Sequence, residues 1–284
     1  MRLKHGLALF LVLTAAAGVG VADGKSWRLT LRSQKETAPG RGQFRAAHRA
    51  VEWDPRKTAL IICDMWDRHW CRGATERVAE MAPAMNEAVR SARARGVLII
   101  HAPSETMAFY EDTPPRRRAR EAPKVTPPTA PPEGAAVKPP LLPIDDSDGG
   151  CDTGEKPWHR AWTRQHPALE VAAEDAITDR GEEVYNLLRA RGIENVLIMG
   201  VHTNMCVLNR PFAIRRLVAL GQNVALVRDL TDAMYNPQRP PHVDHFRGTD
   251  RVVEHIERHW CPTVASTDLT GRPAFRFRDD RRAP

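Results

Sequence analysis

The sequence contains no Cys-x-x-Cys pair, which sets aside the usual dithiol redox and zinc-ribbon motifs. After the N-terminal leader, no stretch is long and apolar enough to cross a membrane. One dense basic run exists, Arg116-Arg117-Arg118-Ala119-Arg120, and no nucleic-acid motif accompanies it. The formal charge of +7 therefore reads as dispersed arginine on a solvated surface, with no nucleic-acid partner. Metal signatures are also missing. His255 and His259 stand at i and i+4, but Glu257 lies between them rather than directly after the first histidine, as the zincin pattern demands. Asp145 to Asp152 is spaced like part of a calcium loop, yet Trp158 falls near where the distal glutamate belongs, so the stretch reads as a turn. No metal and no cofactor is expected.

What is present suits one α/β domain. The chain has 284 residues, of which 42% are apolar, enough for a full core. Its 23 prolines cluster, marking local irregular segments. Residues 1–22 read as a signal peptide: a basic Met1–His5, an apolar Gly6–Val21 too short for a comfortable span, and small residues before a cut ahead of Asp23. An exported location, periplasmic or secreted, follows, with no stable membrane span after cleavage. The five cysteines are Cys63, Cys71, Cys151, Cys206 and Cys261. An odd number in an oxidising compartment permits one free reactive thiol and up to two disulfides, with the pairing open.

Residues 23–56 form an N-terminal extension. Within it, Trp27–Leu31 alternates like an edge strand and Phe44–Trp53 reads as extended. The main domain spans 57–270. Its predicted parallel strands are Thr58–Asp64, Val97–His101, Ala168–Val171, Val196–Met199, Asn223–Asp229 and Thr263–Ala265. Helical spacing runs through Val78 to Ala92 with a break near Ala82 before Pro83, through Val184 to Arg191, from Val207 to Leu220, and from Thr249 to Arg258. A short helix is expected at Trp158–Gln165, a Pro-rich irregular insert at about 113–157, and a frayed polar tail at 271–284. Alternating strands and helices argue a parallel sheet with helices on both faces.

The chemistry concentrates at the carboxyl ends of these strands, where ligands bind in open α/β sheets. Asp64 ends the first strand; capping a turn is its alternative reading. Trp66 opens an aromatic loop that could wall a small pocket. His101 ends the second strand, as a binding or acid/base histidine or a satisfied structural one. The fourth strand runs into Gly200-Val201-His202-Thr203-Asn204-Met205-Cys206-Val207. Cys206 would begin a helix, where the dipole and free N–H groups depress a thiol pKa. A buried structural cysteine is the alternative.

The Thr58–Asp64 strand, the Gly200–Val207 turn and Arg228-Asp229-Leu230-Thr231-Asp232-Ala233 together resemble the isochorismatase-like cysteine hydrolases, over about Thr58 to Val264 without the insert. The resemblance implies a three-layer α/β sandwich around a mostly parallel, six-stranded, Rossmann-like sheet. It implies hydrolysis of small amides and related C–N bonds through a cysteine thioester. Cys206 then matches the nucleophile and Asp64 the acid/base carboxylate. A cis Val201–His202 peptide would aim the His202 and Cys206 N–H groups as an oxyanion hole, and Trp66, His101 and His202 would line the substrate site. The family's triad also holds a lysine at the end of the third strand. This chain has no lysine between Lys156 and Cys206, and Glu170 aligns near that slot. Lys156, Arg160 or Arg164 would have to substitute. Without a substitute, the scaffold becomes a catalytically impaired small-molecule binding protein. The sequence leaves a homo-oligomer open.

Overall fold

The computed structural model describes residues 26–128 and 140–282; the leader at 1–22 and its cleavage point lie outside the described residues. In chain order the elements are β1 (Trp27–Glu36), β2 (Phe44–Trp53), β3 (Thr58–Cys63), α1 (Arg72–Ala94), β4 (Leu98–Ala102), α2 (Met107–Tyr110), α3 (Pro114–Glu121) and β5 (Ala176–Ile177). There follow α4 (Gly181–Ala190), β6 (Asn195–Val201), α5 (Cys206–Asn209), α6 (Ile214–Ala219), β7 (Asn223–Asp232), α7 (His245–His259), β8 (Thr263–Val264) and α8 (Ser266–Thr270).

The strands form one sheet in the order β2-β1-β8-β7-β6-β3-β4-β5. From β3 to β8 all pairings are parallel, giving the expected six-stranded Rossmann-like core. The chain starts at β3, works outward to β5, then returns to β6 on the other side of β3. The β3/β6 seam is therefore a topological switch point. The sheet has eight strands rather than six because the N-terminal extension continues it. β1 adds antiparallel to β8 through Arg32 and Thr263, and β2 pairs along all of β1. Alternation explains the join: Trp27, Leu29 and Leu31 are buried, and the Trp27 indole donates to the Asp268 carbonyl at 3.0 Å.

β3 is buried at every position, as a parallel strand covered on both faces should be. Its period-2 side chains divide between two cores. Ala59, Ile61 and Cys63 pack with Val184, Leu188, Val207 and Ile256 under the helices of one face. Leu60 and Ile62 pack with Val78, Met81, Met85 and Leu269 on the other.

Several expectations change. α1 runs unbroken through Pro83. Its stripe of Val78, Met81, Ala82, Met85, Ala88 and Val89 stays buried throughout, and that packing outweighs the one backbone bond proline cannot donate. Ala168–Val171 is not the third strand. Leu169 is a buried plug, but its N–H is taken by the His166 carbonyl and that of Glu170 by Asn86, so no ladder forms. The strand comes later, as the two-residue β5. Trp158–Gln165 is not helical; Gln165 makes an antiparallel bridge to Trp66. The basic run is helix α3, N-capped by Thr113, and its Arg116 is buried in an ion pair with Glu183. The tail is packed: Phe277 is buried, Phe275 stands against the same core, and the Arg278 N–H donates to Glu80. Cys71 and Cys151 form a disulfide with Cα atoms 5.7 Å apart, tying the second half of the insert to the start of α1. Among the described residues, no helix is long and apolar enough to cross a membrane.

Candidate active site at the β3/β6 seam

β3 and β6 approach so closely at their carboxyl ends that only glycine fits at position 200. A Cβ there would lie 2.0 Å from the Cys63 carbonyl oxygen, and Gly200 has φ +122°. Beyond it, the Val201–His202 peptide is cis. The turn is held from below: the Thr203 N–H donates to the Asp232 carbonyl, and the Thr203 and Thr231 hydroxyls are 2.7 Å apart. Asn204 fastens it from above, receiving the Met234 N–H and donating to Asp146 at 2.7 Å. The acidic stretch of the insert is thus a strap over the turn, with Asp148 and Asp145 likewise engaged by Asn236 and Arg239.

This turn delivers Cys206 beside Asp64. Asp64 is fully buried and sits at φ 46°, a left-handed conformation that aspartate tolerates. Oδ1 accepts the Ser104 N–H at 2.6 Å, and Oδ2 accepts Nε of Arg210 at 3.0 Å. Burial pushes the Asp64 carboxyl up, against the opposing pull of Arg210 and the Ser104 N–H. Burial also pushes the Cys206 thiol up, and the Asp64 charge adds to it; Arg210 and the His202 N–H work the other way. The thiol is therefore protonated at rest, contrary to the expectation of a thiolate favoured by a helix start. α5 is a single turn, so its dipole is small beside these neighbours. The Cys206 N–H enters none of the backbone bonds of this turn, and the His202 N–H is directed at the sulfur.

Arg210 answers the question of the missing lysine. The sequence led us to expect one helix from Val207 to Leu220. Pro211 disfavours the helical conformation at the residue before it, and here no long buried stripe like that of α1 overrides the preference. α5 stops at Asn209, Arg210 takes φ −57°, ψ 154°, and α6 starts afresh at Ile214. The extended Arg210 turns its guanidinium back to Asp64, and its charge acts on both Asp64 and Cys206. Pro211 was the signal in the sequence that located this cation. The other candidates lie elsewhere. Glu170 pairs with Arg90 at the surface, Arg160 contacts the Glu105 carbonyl, Arg164 stacks on Phe109, and Lys156 is exposed.

Rings wall the site. The indoles of Trp66 and Trp162 stack with centroids 4.3 Å apart, and His69 joins the stack, 5.7 Å from Trp162. His202 meets the edge of His69 at 4.8 Å. The Trp66 indole is fixed by its bond to the Ser104 carbonyl at 3.0 Å. Burial holds His69 down to about 4 and His202 well below the ordinary histidine range, so the wall is uncharged at neutral pH. The buried Ser104 Oγ, Trp162 Nε1 and His202 Nε2 have no hydrogen-bond partner. The structure places Trp66 and His202 beside Asp64 and Cys206, with His69 of the same aromatic loop, and adds Trp162 and Ser104, which sequence reasoning did not single out. His101 is not brought to the site. It is wholly buried, with Gln165 and Asp175 each 3.1 Å from a ring nitrogen, and serves as a structural link.

A second charged cluster lies beside His202. Arg77 bridges Asp232 and Asp152, each at 2.7 Å, and His245 reaches Asp232 at 2.8 Å. Burial alone would raise Asp232, but Arg77 and His245 outweigh it and hold the carboxyl well below the usual range. Among the described residues, Cys71, Cys151 and Asp152 are the one group with metal-ligand spacing, and its two sulfurs are spent in the disulfide.

Residues 58–252 match the isochorismatase domain. No curated protein matches the sequence significantly. Among solved structures, a cysteine hydrolase from Pseudomonas syringae pv. phaseolicola 1448A is similar at a TM-score of 0.50 and 17% identity, covering 77% of this chain and 92% of that one. A putative isochorismatase from Burkholderia xenovorans LB400 gives a TM-score of 0.45 at 15% identity, covering 78% and 91%. N-carbamoylsarcosine amidase from Thermoplasma acidophilum gives 0.38 at 12% identity, covering 64% and 87%. At these identities the likeness is one of fold, and the first of the three carries it.

Proposed function

The chain belongs to the isochorismatase domain family, and from that premise we propose that it is an exported hydrolase cleaving a small amide or related C–N bond through a thioester on Cys206. The observation that carries this reading is Arg210, a cation bonded to Asp64 whose charge also acts on Cys206, at a place the sequence reading had not looked for one. With it, the motive for an impaired binding protein falls away.

The chemistry balances on three side chains. Asp64 takes the Cys206 proton as the sulfur attacks the carbonyl carbon. The tetrahedral oxyanion forms near the His202 and Cys206 N–H groups. Asp64 returns the proton to the nitrogen as the C–N bond breaks, leaving the acyl thioester. A water, deprotonated by Asp64, then releases the acid and restores the thiol. A carboxyl raised by burial is nearer working pH and suits both directions of transfer. Arg210 cannot relay a proton, so its part is electrostatic: it favours the charged forms of Asp64 and the thiolate. The stacked, uncharged rings of Trp66 and Trp162 favour a flat, neutral acyl group. Export is supported by the leader-like N-terminus and by the Cys71–Cys151 disulfide, a bond that persists in oxidising compartments.

The test is turnover of a panel of small primary amides and ureido compounds, with intact-mass detection of the acyl enzyme. We expect turnover and a mass adduct on Cys206, both lost in Cys206→Ala. Turnover that survives in Cys206→Ala, or a panel on which the wild type is inert, overturns the reading.

A further inference from the structure

A cavity of about 580 Å³ opens between the end of β7, the first half of α7 and the chain after α8, and neither Asp64, Cys206 nor Arg210 lines it. Arginines outnumber aspartates on its walls. The aspartates are already engaged: Asp229 by the Ser266 N–H and hydroxyl and the Phe275 N–H, Asp250 by Arg282, and Asp280 by Arg276 and Arg282. Arg32 is likewise committed, to Glu257 at 2.7 Å.

Arg228 is the exception. It makes no hydrogen bond and no ion pair among the described residues, and its Nη1 is buried without a partner. Burial, and then the neighbouring charge of Arg32, disfavour its cationic form. Asp229, Glu257 and Asp268 favour that form from a distance, but none of them bonds the guanidinium, and an oxyanion that fills its fork satisfies the unpartnered Nη1. Around it stand Phe246, Phe275 and Phe277, with Phe246 and Phe277 stacked at 5.3 Å and Phe275 edge-on to Phe277 at 4.9 Å.

We propose that this cavity is a binding site for a small aromatic oxyanion, a carboxylate or a phosphate monoester, with Arg228 as its counter-charge and the phenylalanine cluster as its apolar wall. Guanidinium geometry accepts two oxygens of either head group, and the rings exclude water from one side of the pair. The proposal does not depend on hydrolysis at Cys206.

Thermal unfolding of the full chain in a phosphate-free buffer, with benzoate, phenyl phosphate, inorganic phosphate and neutral benzamide as probes, tests it. At a hundred times its dissociation constant, at least one of benzoate and phenyl phosphate should raise the midpoint by about 5 °C. Whichever acts identifies the head group. Benzamide and inorganic phosphate should do much less, since each lacks one half of the match. The shift should be unchanged in Cys206→Ala, which separates this site from the thiol. Arg228→Leu should abolish it while melting no lower than the parent without ligand, because an unpaired cation has been removed. Arg228→Lys should bind about tenfold more weakly, having lost bidentate contact. No shift with either aromatic anion, a full shift in Arg228→Leu, or an equal shift with benzamide overturns the site. An equal shift with inorganic phosphate overturns the aromatic part of its specificity.

Discussion

Asp64 and Asp232 are the same side chain in nearly the same place. Each is buried at the carboxyl end of a parallel strand, each faces an arginine, and they flank the turn that carries Cys206. Their proton affinities nevertheless move in opposite directions. Asp64 has one cation, Arg210, whose side chain is 28% exposed, and there burial prevails. Asp232 has two partners, Arg77 at 12% exposure and His245 at 8%, and there the partners prevail. The number and enclosure of the hydrogen-bonding partners decide whether a buried carboxylate becomes a proton acceptor or an anchor. The under-compensated one is beside the thiol.

The largest way to break this contrast is Asp64→Asn. It removes the proton acceptor, and turnover of a responsive amide should drop by roughly 10³ to 10⁴. The melting midpoint should stay near the parent's, since a costly buried charge has gone too. Asp232→Asn should do the reverse. Leaving Arg77 short of a counter-charge should lower the unfolding free energy by about 3 to 5 kcal/mol in urea titrations. Activity per folded molecule should change little, and a collapse of activity at full stability would assign Asp232 to the chemistry. Arg210→Met comes next, with kcat/KM down about 100-fold. Without that cation the charged form of Asp64 is disfavoured further, so the acid limb of the pH profile should move to higher pH. Arg210→Lys should move it back, and a limb that stays put in Arg210→Met would remove Arg210 from the mechanism.

The smallest effect is the slope of stability against pH. Asp232 has a folded value below its unfolded one. Its contribution is complete above about pH 4 and drains as pH falls toward the folded value, at about 1.4 kcal/mol per pH unit at most. Asp64 has a folded value above its unfolded one, so acidification through that value favours the folded form until the unfolded carboxyl protonates as well. Chemical denaturation from pH 7 to pH 3 should therefore show a shallower acid loss in Asp232→Asn and a steeper one in Asp64→Asn. Parallel curves for the two variants would erase the contrast.

Much of the seam was legible because its signals are local. An unbroken apolar run ending in Asp64, and a glycine-led turn ending in Cys206, specify strand, crossing and the placement of the thiol together. Arg210 was hidden by reading apolar spacing across Pro211; at Pro83 the buried stripe of α1 carries the helix through a proline, but at Pro211 the helix breaks and Arg210 is extended. β5 escaped because two residues carry almost no periodic signal, while Leu169 is equally apolar for a different reason, as a plug outside the ladder. His69 lies in the same loop as Trp66, but Trp162 stacks on them from a separate segment, and no spacing in the chain announces that meeting. The N-terminal hairpin was seen as strands, but its docking against β8 depends on an edge that exists only once the sheet is built.

Cys206 and Arg210 share one short segment, whereas Asp64 is 146 residues away from Arg210 along the chain. The thiol and its cation are thus neighbours even in a disordered polypeptide. Asp64 joins them only when β6 has docked on β3. On the proposed mechanism, catalytic competence is consequently a late event in assembly, and the first appearance of turnover during refolding would time the closure of that seam.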